Sequence, residues 1–417
     1  MLTGMMSLIA AVAVGFPVPV LQTQPVPVRI AKNASGYQLL RGGKPYLIRG
    51  AGIHNPLLET FVRVGGNSVR TWGADNLEQL LDDANRLGVT VTVGYWMGHR
   101  GHGFDYRNAE QVKKQFDGAM AAFRKYKNHP AVLAWAVGNE MELGQEGPEV
   151  YKAIEDIAKA IKREDPNHPV LTVVADMWPE KMAMLNQHCP SLDFLGVNSY
   201  GGLPTLAARM ADWKKPYVVT EWDYPGAGDF GQTPWKTPLE PSSTEKAKLT
   251  AEYAEKYVYG APGRVLGGYY FHFSPPEAAT VGWNNAFLKT GEKLAMVDVL
   301  QRQFTGKEPK NRAPSIVSVT AAVTPTLAPG GKLAVRVSAF DPDRDNLTYA
   351  YEIVGDDPKK RFVGDFERDA GFAGSGEASP DFSITAPKEA GPYRLVIVVR
   401  DGKGSAATAS VSFQVKG

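Results

Sequence analysis

The stretch Val132-Leu-Ala-Trp-Ala-Val-Gly-Asn139-Glu140 decides how the rest of this chain is read. Its six leading apolar residues are too few for an ordinary helix and read as a strand buried on both faces. A glutamate ends it. A second run, Tyr217-Val-Val-Thr220-Glu221-Trp222, has the same form and the same ending. Working outward, six more short apolar segments recur: Tyr46 to Gly50, Ser68 to Trp72, Val89 to Val93, Val170 to Val174, Phe194 to Asn198 and Gly268 to Phe273. In chain order the run at Val132 to Val137 is the fourth strand and Tyr217 to Thr220 the seventh.

Helical patterns fill the gaps, most clearly over Asn76 to Leu87, Asn108 to Asn128, Pro148 to Arg163, Leu203 to Trp213, Ser243 to Tyr259 and Gly291 to Phe304. In the first, Leu77, Leu80, Leu81, Ala84 and Leu87 line one face, with Asn76 as the expected cap and Gly88 as the stop. Strand and helix alternate eight times between about Pro45 and Thr305, which matches the roughly 250 residues of a (β/α)8 TIM barrel. An open doubly wound sheet would need a phosphate-binding glycine loop after an early strand, and none is present. Ahead of the barrel, Gly36 to Pro45 reads as a short hairpin with a Gly-Gly turn.

Composition shifts after Phe304. A polar linker, 307–313, leads into segments that alternate apolar and polar residues between Gly, Pro and Asp turns: Ser315 to Val323, Lys332 to Phe340, Leu347 to Val354, Asp381 to Thr385, Tyr393 to Arg400 and Ala407 to Val415. This predicts an all-β immunoglobulin-like sandwich over 314–417. The expected organisation is then 1–28 signal peptide and tether, 29–306 barrel, linker, sandwich. Leu8 to Val14 has the length of a signal-peptide core, which implies a periplasmic or secreted protein, and Phe16 to Val28 reads as an extended tether.

The chain of 417 residues is 43% hydrophobic and 22% charged with a formal net charge of +2, and its charges are interspersed. That is not the electrostatic footprint of a nucleic-acid binder, and no segment reads as a membrane span. Cys189 is the only cysteine, which excludes an internal disulfide and a thiolate metal cluster. His99 and His102 form a lone His-x-x-His in a glycine-rich loop without a helical frame or third ligand, so they read as substrate-loop residues rather than a zinc site. No metal or organic cofactor is expected.

In such barrels chemistry sits at the C-terminal ends of the strands. Glu140 and Glu221 end strands four and seven, which face each other across the opening. Paired carboxylates there can divide the work of breaking a glycosidic bond, one protonating the leaving oxygen while the other attacks or activates water. Glu142 and Asp223, two residues beyond each, are rival carboxylates that rank as supporting groups. Arg70 and Tyr200 are available as donors to Glu221, and Asn139 is suited to grip a sugar hydroxyl. His54, just after strand one, is a candidate sugar ligand. Trp72, Trp96, Trp178, Trp222 and Trp235 fall at or after strand ends, where stacking platforms belong.

Leu47-Ile-Arg-Gly50, Asn67-Ser-Val-Arg-Thr-Trp72, Gly138-Asn-Glu140, Asn198-Ser-Tyr200 and Thr220-Glu221-Trp222, in that order, resemble the retaining glycoside hydrolases of clan A, especially the barrel of family 2. The opening Gly-Lys-Pro-Tyr-Leu-Ile-Arg-Gly50 and the Asn-Ser-Tyr element also resemble the β-1,3-glucanosyltransferases. The resemblance covers Pro45 to about Phe273. It implies Glu140 as general acid/base, Glu221 as nucleophile, Arg70 and Tyr200 as its partners, Asn139 as the ligand of the sugar 2-hydroxyl, and retention through a covalent glycosyl-enzyme. Many members end strand eight in a tryptophan that floors the reactive subsite; here Phe273, His272 or Trp283 is left for that place.

The expected activity is therefore hydrolysis of a β-linked oligo- or polysaccharide, β-glucan favoured. The alternatives are a β-glucanosyltransferase, in which a sugar hydroxyl resolves the intermediate, and a non-catalytic glycan-binding protein on a decayed barrel. In the C-terminal part, Phe340 to Tyr349 and Val398 to Gly404 resemble cadherin-like or immunoglobulin-like repeats. Their clustered aspartates read as a solvated turn, with calcium as the alternative.

Overall fold

The computed structural model describes residues 22–34, 36–53, 57–144, 147–261, 263–275, 285–321, 325–357, 362–363, 366–367 and 371–417. The apolar stretch at 8–14, His54 and Trp283 lie outside the described residues. The described residues open with β1 (Val28–Asn33), β2 (Gly36–Arg41) and β3 (Lys44–Pro45), an antiparallel sheet. Gly42 and Gly43 turn between β2 and β3 with φ of 56° and 76°, the left-handed pair that a tight hairpin needs.

Eight parallel strands follow: β4 (Ile48–Gly52), β5 (Ser68–Arg70), β6 (Thr90–Tyr95), β7 (Val132–Asn139), β8 (Val170–Ala175), β9 (Leu195–Asn198), β10 (Tyr217–Trp222) and β11 (Val265–Tyr270). They form a closed ring in which each pairs with its neighbours in sequence and β11 returns to β4. Helices follow the strands and pack outside the ring. Glu149–Glu164 shows why: Val150, Ile154, Ile157, Ala158 and Ile161 recur on one face and are buried, the period of a helix with one apolar stripe. Inside the ring, Ile48, Leu133, Leu171, Val173, Val218 and Tyr269 form a core closed at its lower end by Val28 and Leu39 from the opening hairpin. The segment read as a tether therefore ends in a plug at Val28, at the end of the ring opposite Glu140 and Glu221.

Two local readings are corrected. Asn76 does not cap its helix: it sits at φ 53°, the helix begins at Glu78, and the hydroxyl of Tyr126 accepts from the Leu77 N–H at 3.3 Å. Strand eight runs Val265–Tyr270 rather than to Phe273. Gly267 lies inside it at φ 107°, where an added Cβ would stand 2.1 Å from the Ile48 carbonyl oxygen. Glycine permits that close approach, so the ladder starts earlier and the chain leaves it after Tyr270.

Beyond Ala295–Thr305 the described residues form a two-stranded ribbon of Phe362–Val363 with Phe366–Glu367 and two larger sheets. One holds Ser315–Thr320, Lys332–Phe340 and Asp381–Thr385; the other holds Thr326–Leu327, Thr348–Gly355, Phe372–Ala378, Gly391–Arg400 and Ala406–Val415. Ile316, Val335 and Val337 from the first meet Ile353, Leu395, Ile397 and Phe413 from the second in one apolar cluster. Val354, Val396, Val398 and Ala406 point the other way and join the core of the barrel helices. The residues of the polar linker are pinned as well: Arg312 grips Asp343 at 2.7 Å and Asn311 donates to Asp401 at 2.7 Å. In the aspartate turns, Asp341 Oδ1 accepts from the backbone of Asp343 and Asp345, Asp401 Oδ1 from Lys403 and Ser405, and Lys403 pairs with Asp345. No helix among the described residues is long and apolar enough to cross a membrane.

Candidate active site

Both glutamates are presented by irregularities at the ends of their strands. Where β7 pairs with β8 the register slips between Ala136 and Asn139, and Gly138 takes φ 78°. Where β10 pairs with β9 it slips between Val219 and Glu221. An extra residue of this kind re-aims the side chains that follow it. Glu140 itself sits at φ 54°, a left-handed conformation that a side chain of this size adopts only where its surroundings enforce it.

Three donors converge on Glu221, which is 7% exposed. Arg70 Nη1 and Trp72 Nε1 donate to Oε1 at 2.9 and 2.8 Å, and the Tyr200 hydroxyl donates to Oε2 at 2.9 Å. Arg70, fully buried, also donates to the Thr220 carbonyl at 2.9 Å and to Asn139 Oδ1. Burial and the Glu221 carboxylate hold the Tyr200 phenol well above its ordinary pKa, so it stays a donor.

Glu140 has a different environment. Asn198 Nδ2 donates to its Oε1 at 2.8 Å. Burial first, and the Glu221 charge second, push its carboxyl up to about 7. Asn198 ties the two halves together: its Nδ2 also reaches Asn139 at 3.2 Å, and its Oδ1 accepts from Thr220 Oγ1 at 2.8 Å. Two carboxylates are thus held in one site, one among donors and one short of them.

The structure brings Glu140, Glu221, Arg70, Asn139, Tyr200 and Trp72 into this single network. Trp72 enters it as a hydrogen-bond donor, with its ring 5.1 Å from the Arg70 guanidinium carbon, rather than as a stacking platform. Trp222 is corrected outright. It is fully buried, edge-on to Tyr259 and Tyr270 at 6.0 and 5.6 Å, because it belongs to the packing outside the ring. Trp96 is 46% exposed beside His99, its ring 5.0 Å away. Trp178 is 55% exposed, with Arg209 over its face at 4.9 Å. Trp235 donates to Asp356 of the C-terminal sheets.

Phe273 is also corrected: it is fully buried against Phe61 and Phe287. His272 is buried as well, at 8% exposure, which does not leave an open face for a sugar. The half-buried aromatic at that place is Phe271, edge-on to Trp72 at 5.8 Å and to Tyr200 at 6.1 Å. The sequence reading of strand eight as Gly268 to Phe273 hides Phe271 inside the strand, whereas a strand ending at Tyr270 makes it the first residue beyond the ladder, where a subsite wall belongs. Asn198, part of the Asn198-Ser-Tyr200 motif, has a role the sequence does not show, holding Glu140 through Nδ2 and Thr220 through Oδ1. Of the rival carboxylates, Glu142 pairs with Lys181 at 2.6 Å. Asp223 is wholly buried against Thr250, 2.7 Å away, and burial pushes it up to about 7.

Residues 58–264 match the family model described as Glycosyl hydrolases family 2, TIM barrel domain. The β-glucuronidase of Homo sapiens is 26% identical over 306 residues, covering 60% of this chain and 44% of that protein. The β-glucuronidase of Paenibacillus borealis is 26% identical over 194 residues, 41% of this chain and 31% of its own. This chain therefore spans less than half the length of these curated relatives. Among solved structures, the FMN-binding β-glucuronidase from Facaelibacterium prausnitzii L2-6 superposes with a TM-score of 0.51 at 13% identity, over 94% of this chain and 59% of its own. The Bifidobacterium dentium β-glucuronidase complexed with coumarin-3-O-glucuronide gives a TM-score of 0.52 at 16% identity, over 67% and 49%. These two show the fold alone. The stretch 58–264 is therefore a glycosyl hydrolase family 2 barrel domain, the (β/α)8 fold of clan A.

Proposed function

We propose that this protein hydrolyses β-glycosides with retention of configuration. The observation that carries the reading is the unequal setting of the two glutamates. Glu140, raised to about 7 by burial and the Glu221 charge, holds a proton near neutral pH and gives it to the leaving oxygen. Glu221, ringed by Arg70, Trp72 and Tyr200, stays an anion and attacks the anomeric carbon. The bond to the leaving oxygen breaks as the glycosyl–Glu221 ester forms. Glu140, now a carboxylate, then takes a proton from water, which attacks the same carbon and releases Glu221. Asn139 meets the hydroxyl next to the reacting carbon, and Trp72, Phe271 and Tyr200 wall the subsite.

The β-glucan preference read from the sequence draws no support from the relatives, which are named as β-glucuronidases. A β-glucuronide therefore heads the substrate panel, beside β-glucosides, β-galactosides and β-glucans. The sheets beyond the barrel fit an immunoglobulin-like module over 314–417, and the apolar stretch at 8–14 fits export to the periplasm or cell exterior.

The test is hydrolysis of that panel by the wild type, Glu140→Ala and Glu221→Ala. We expect Glu221→Ala to lose activity on every substrate by about 10⁴-fold or more. Glu140→Ala should lose most on alkyl and sugar leaving groups and least on acidic phenols, which depart without a proton. Activity surviving in both variants removes the mechanism.

A further inference from the structure

The loop after Glu221, from Asp223 to Glu240, touches two parts of the molecule at once. Near the cleft it lies against the segment that carries Tyr200: a Cβ on Gly201 would meet Asp229 Oδ2 at 2.6 Å. Tyr200 is the next residue, and its hydroxyl donates to Glu221. The far end of the loop is fastened to the C-terminal sheets. Trp235 Nε1 donates to Asp356 Oδ2 at 3.1 Å, Thr237 Oγ1 to the Asp356 carbonyl at 2.6 Å, and Arg394 Nη2 to the Pro238 carbonyl at 2.7 Å. Arg394 also grips Asp356 through Nε and Glu240 through Nη1, each at 3.0 Å. Lys246 completes the group by pairing with Glu240 at 2.6 Å.

These are four buried charges, two of each sign. Arg394 and Asp356 are fully buried, and the Glu240 and Lys246 side chains are 5% and 2% exposed. Taking such groups out of water is costly unless every one is met in good geometry. Here the planar guanidinium addresses three acceptors at once, which fixes direction as well as distance. Apolar contact alone would hold the loop without specifying its position. The fastened end is also closed on itself, since Thr233 N–H donates to the Thr237 carbonyl at 2.8 Å and Leu239 N–H to the Gly231 carbonyl at 3.0 Å. This bonded turn begins at Gly231, two residues after Asp229, so the fastened end and the contact with Gly201 belong to one short stretch of chain.

We propose that the C-terminal module is a clamp on this cleft loop and that Arg394 is a positioning residue for the site, acting through the loop on Tyr200. Its consequence for hydrolysis rests on the function proposed above; the clamp itself does not.

Lys236 provides a probe, because it is exposed and lies between the two residues that bond Asp356. Full-length wild type, Trp235→Phe/Thr237→Val, Arg394→Met and Arg394→Lys are compared for trypsin cleavage of the Lys236–Thr237 bond, unfolding midpoint, kcat and KM. The double variant removes two hydrogen bonds and no charge, so it tests the clamp even if Arg394→Met does not fold. We expect cleavage about 10-fold faster in the folded double variant, kcat/KM lower by about 10-fold, and Arg394→Lys between wild type and Arg394→Met. Unchanged cleavage in folded variants overturns the clamp. Faster cleavage with kcat and KM unchanged overturns the positioning role. A wild type inactive on every substrate would refute the glycosidase reading, while the cleavage rates would still decide the clamp.

Discussion

Burial and the neighbouring Glu221 charge push the Glu140 carboxyl from an ordinary 4.5 up to about 7, and that shift acts on folding as well as on catalysis. Between those two values the folded chain keeps a proton that the unfolded chain has released, so stability falls as pH rises through this window and the full cost is present above about pH 7. Glu140→Gln removes the titration while keeping an oxygen for the Asn198 amide. We predict that this variant is more stable than wild type at pH 8 by about 2–3 kcal/mol and close to it at pH 4.5, measured by urea unfolding at both values. An equal difference at the two pH values would mean that Glu140 is not held protonated. The same proton sets a basic limb: hydrolysis should decline as pH rises past about 7.

At the scale of elements, the site depends on how two strands end. Gly138, at φ 78°, leaves no room for a Cβ, which would stand 2.5 Å from Met141 Cγ. We predict that Gly138→Ala costs about 1–3 kcal/mol in thermal unfolding and lowers kcat more than it raises KM, since it turns Glu140 away from the leaving oxygen. A variant with wild-type kcat would show that the bulge does not aim the acid. This feature was only half legible. The apolar runs that become β6, β7, β8 and β10 stand out because strands buried on both faces are apolar almost throughout. Glu140 and Glu221 were found because each closes such a run. Their aim was not, since a bulge is a fact of pairing between strands that one strand does not record. Phe271 was missed for the same reason: the start of β11 depends on the approach of β4 to Gly267. The tryptophans show the limit from the other side. Adjacent in sequence to Glu221, Trp222 points into the packing outside the ring, while Trp72 on β5's extension bonds Glu221 directly.

Seen as one molecule, the barrel and the C-terminal sheets share more than a chain connection. Module residues Val354, Val396, Val398 and Ala406 belong to the same apolar cluster as the barrel helices, and the helix at Ser243–Tyr253 begins with Ser243 accepting from Thr408 N–H at 2.8 Å. The sequence marked the change of architecture near residue 306 through a loss of helical period. It did not show that the segment between is bonded on both sides, to Asp343 and Asp401 of the sheets and, through the Asn311 carbonyl and Ala313 N–H, to Lys293 and Asp298 of the barrel, because its polar residues look the same whether they face water or partners. The function, however, stands on the two glutamates at the mouth. The most direct test is proton NMR of the anomeric signals during hydrolysis of the best β-glycoside in the panel. Double displacement through Glu221 predicts that the β-anomer of the product appears first and the α-anomer only later, by mutarotation. An α-anomer formed first would contradict the covalent route.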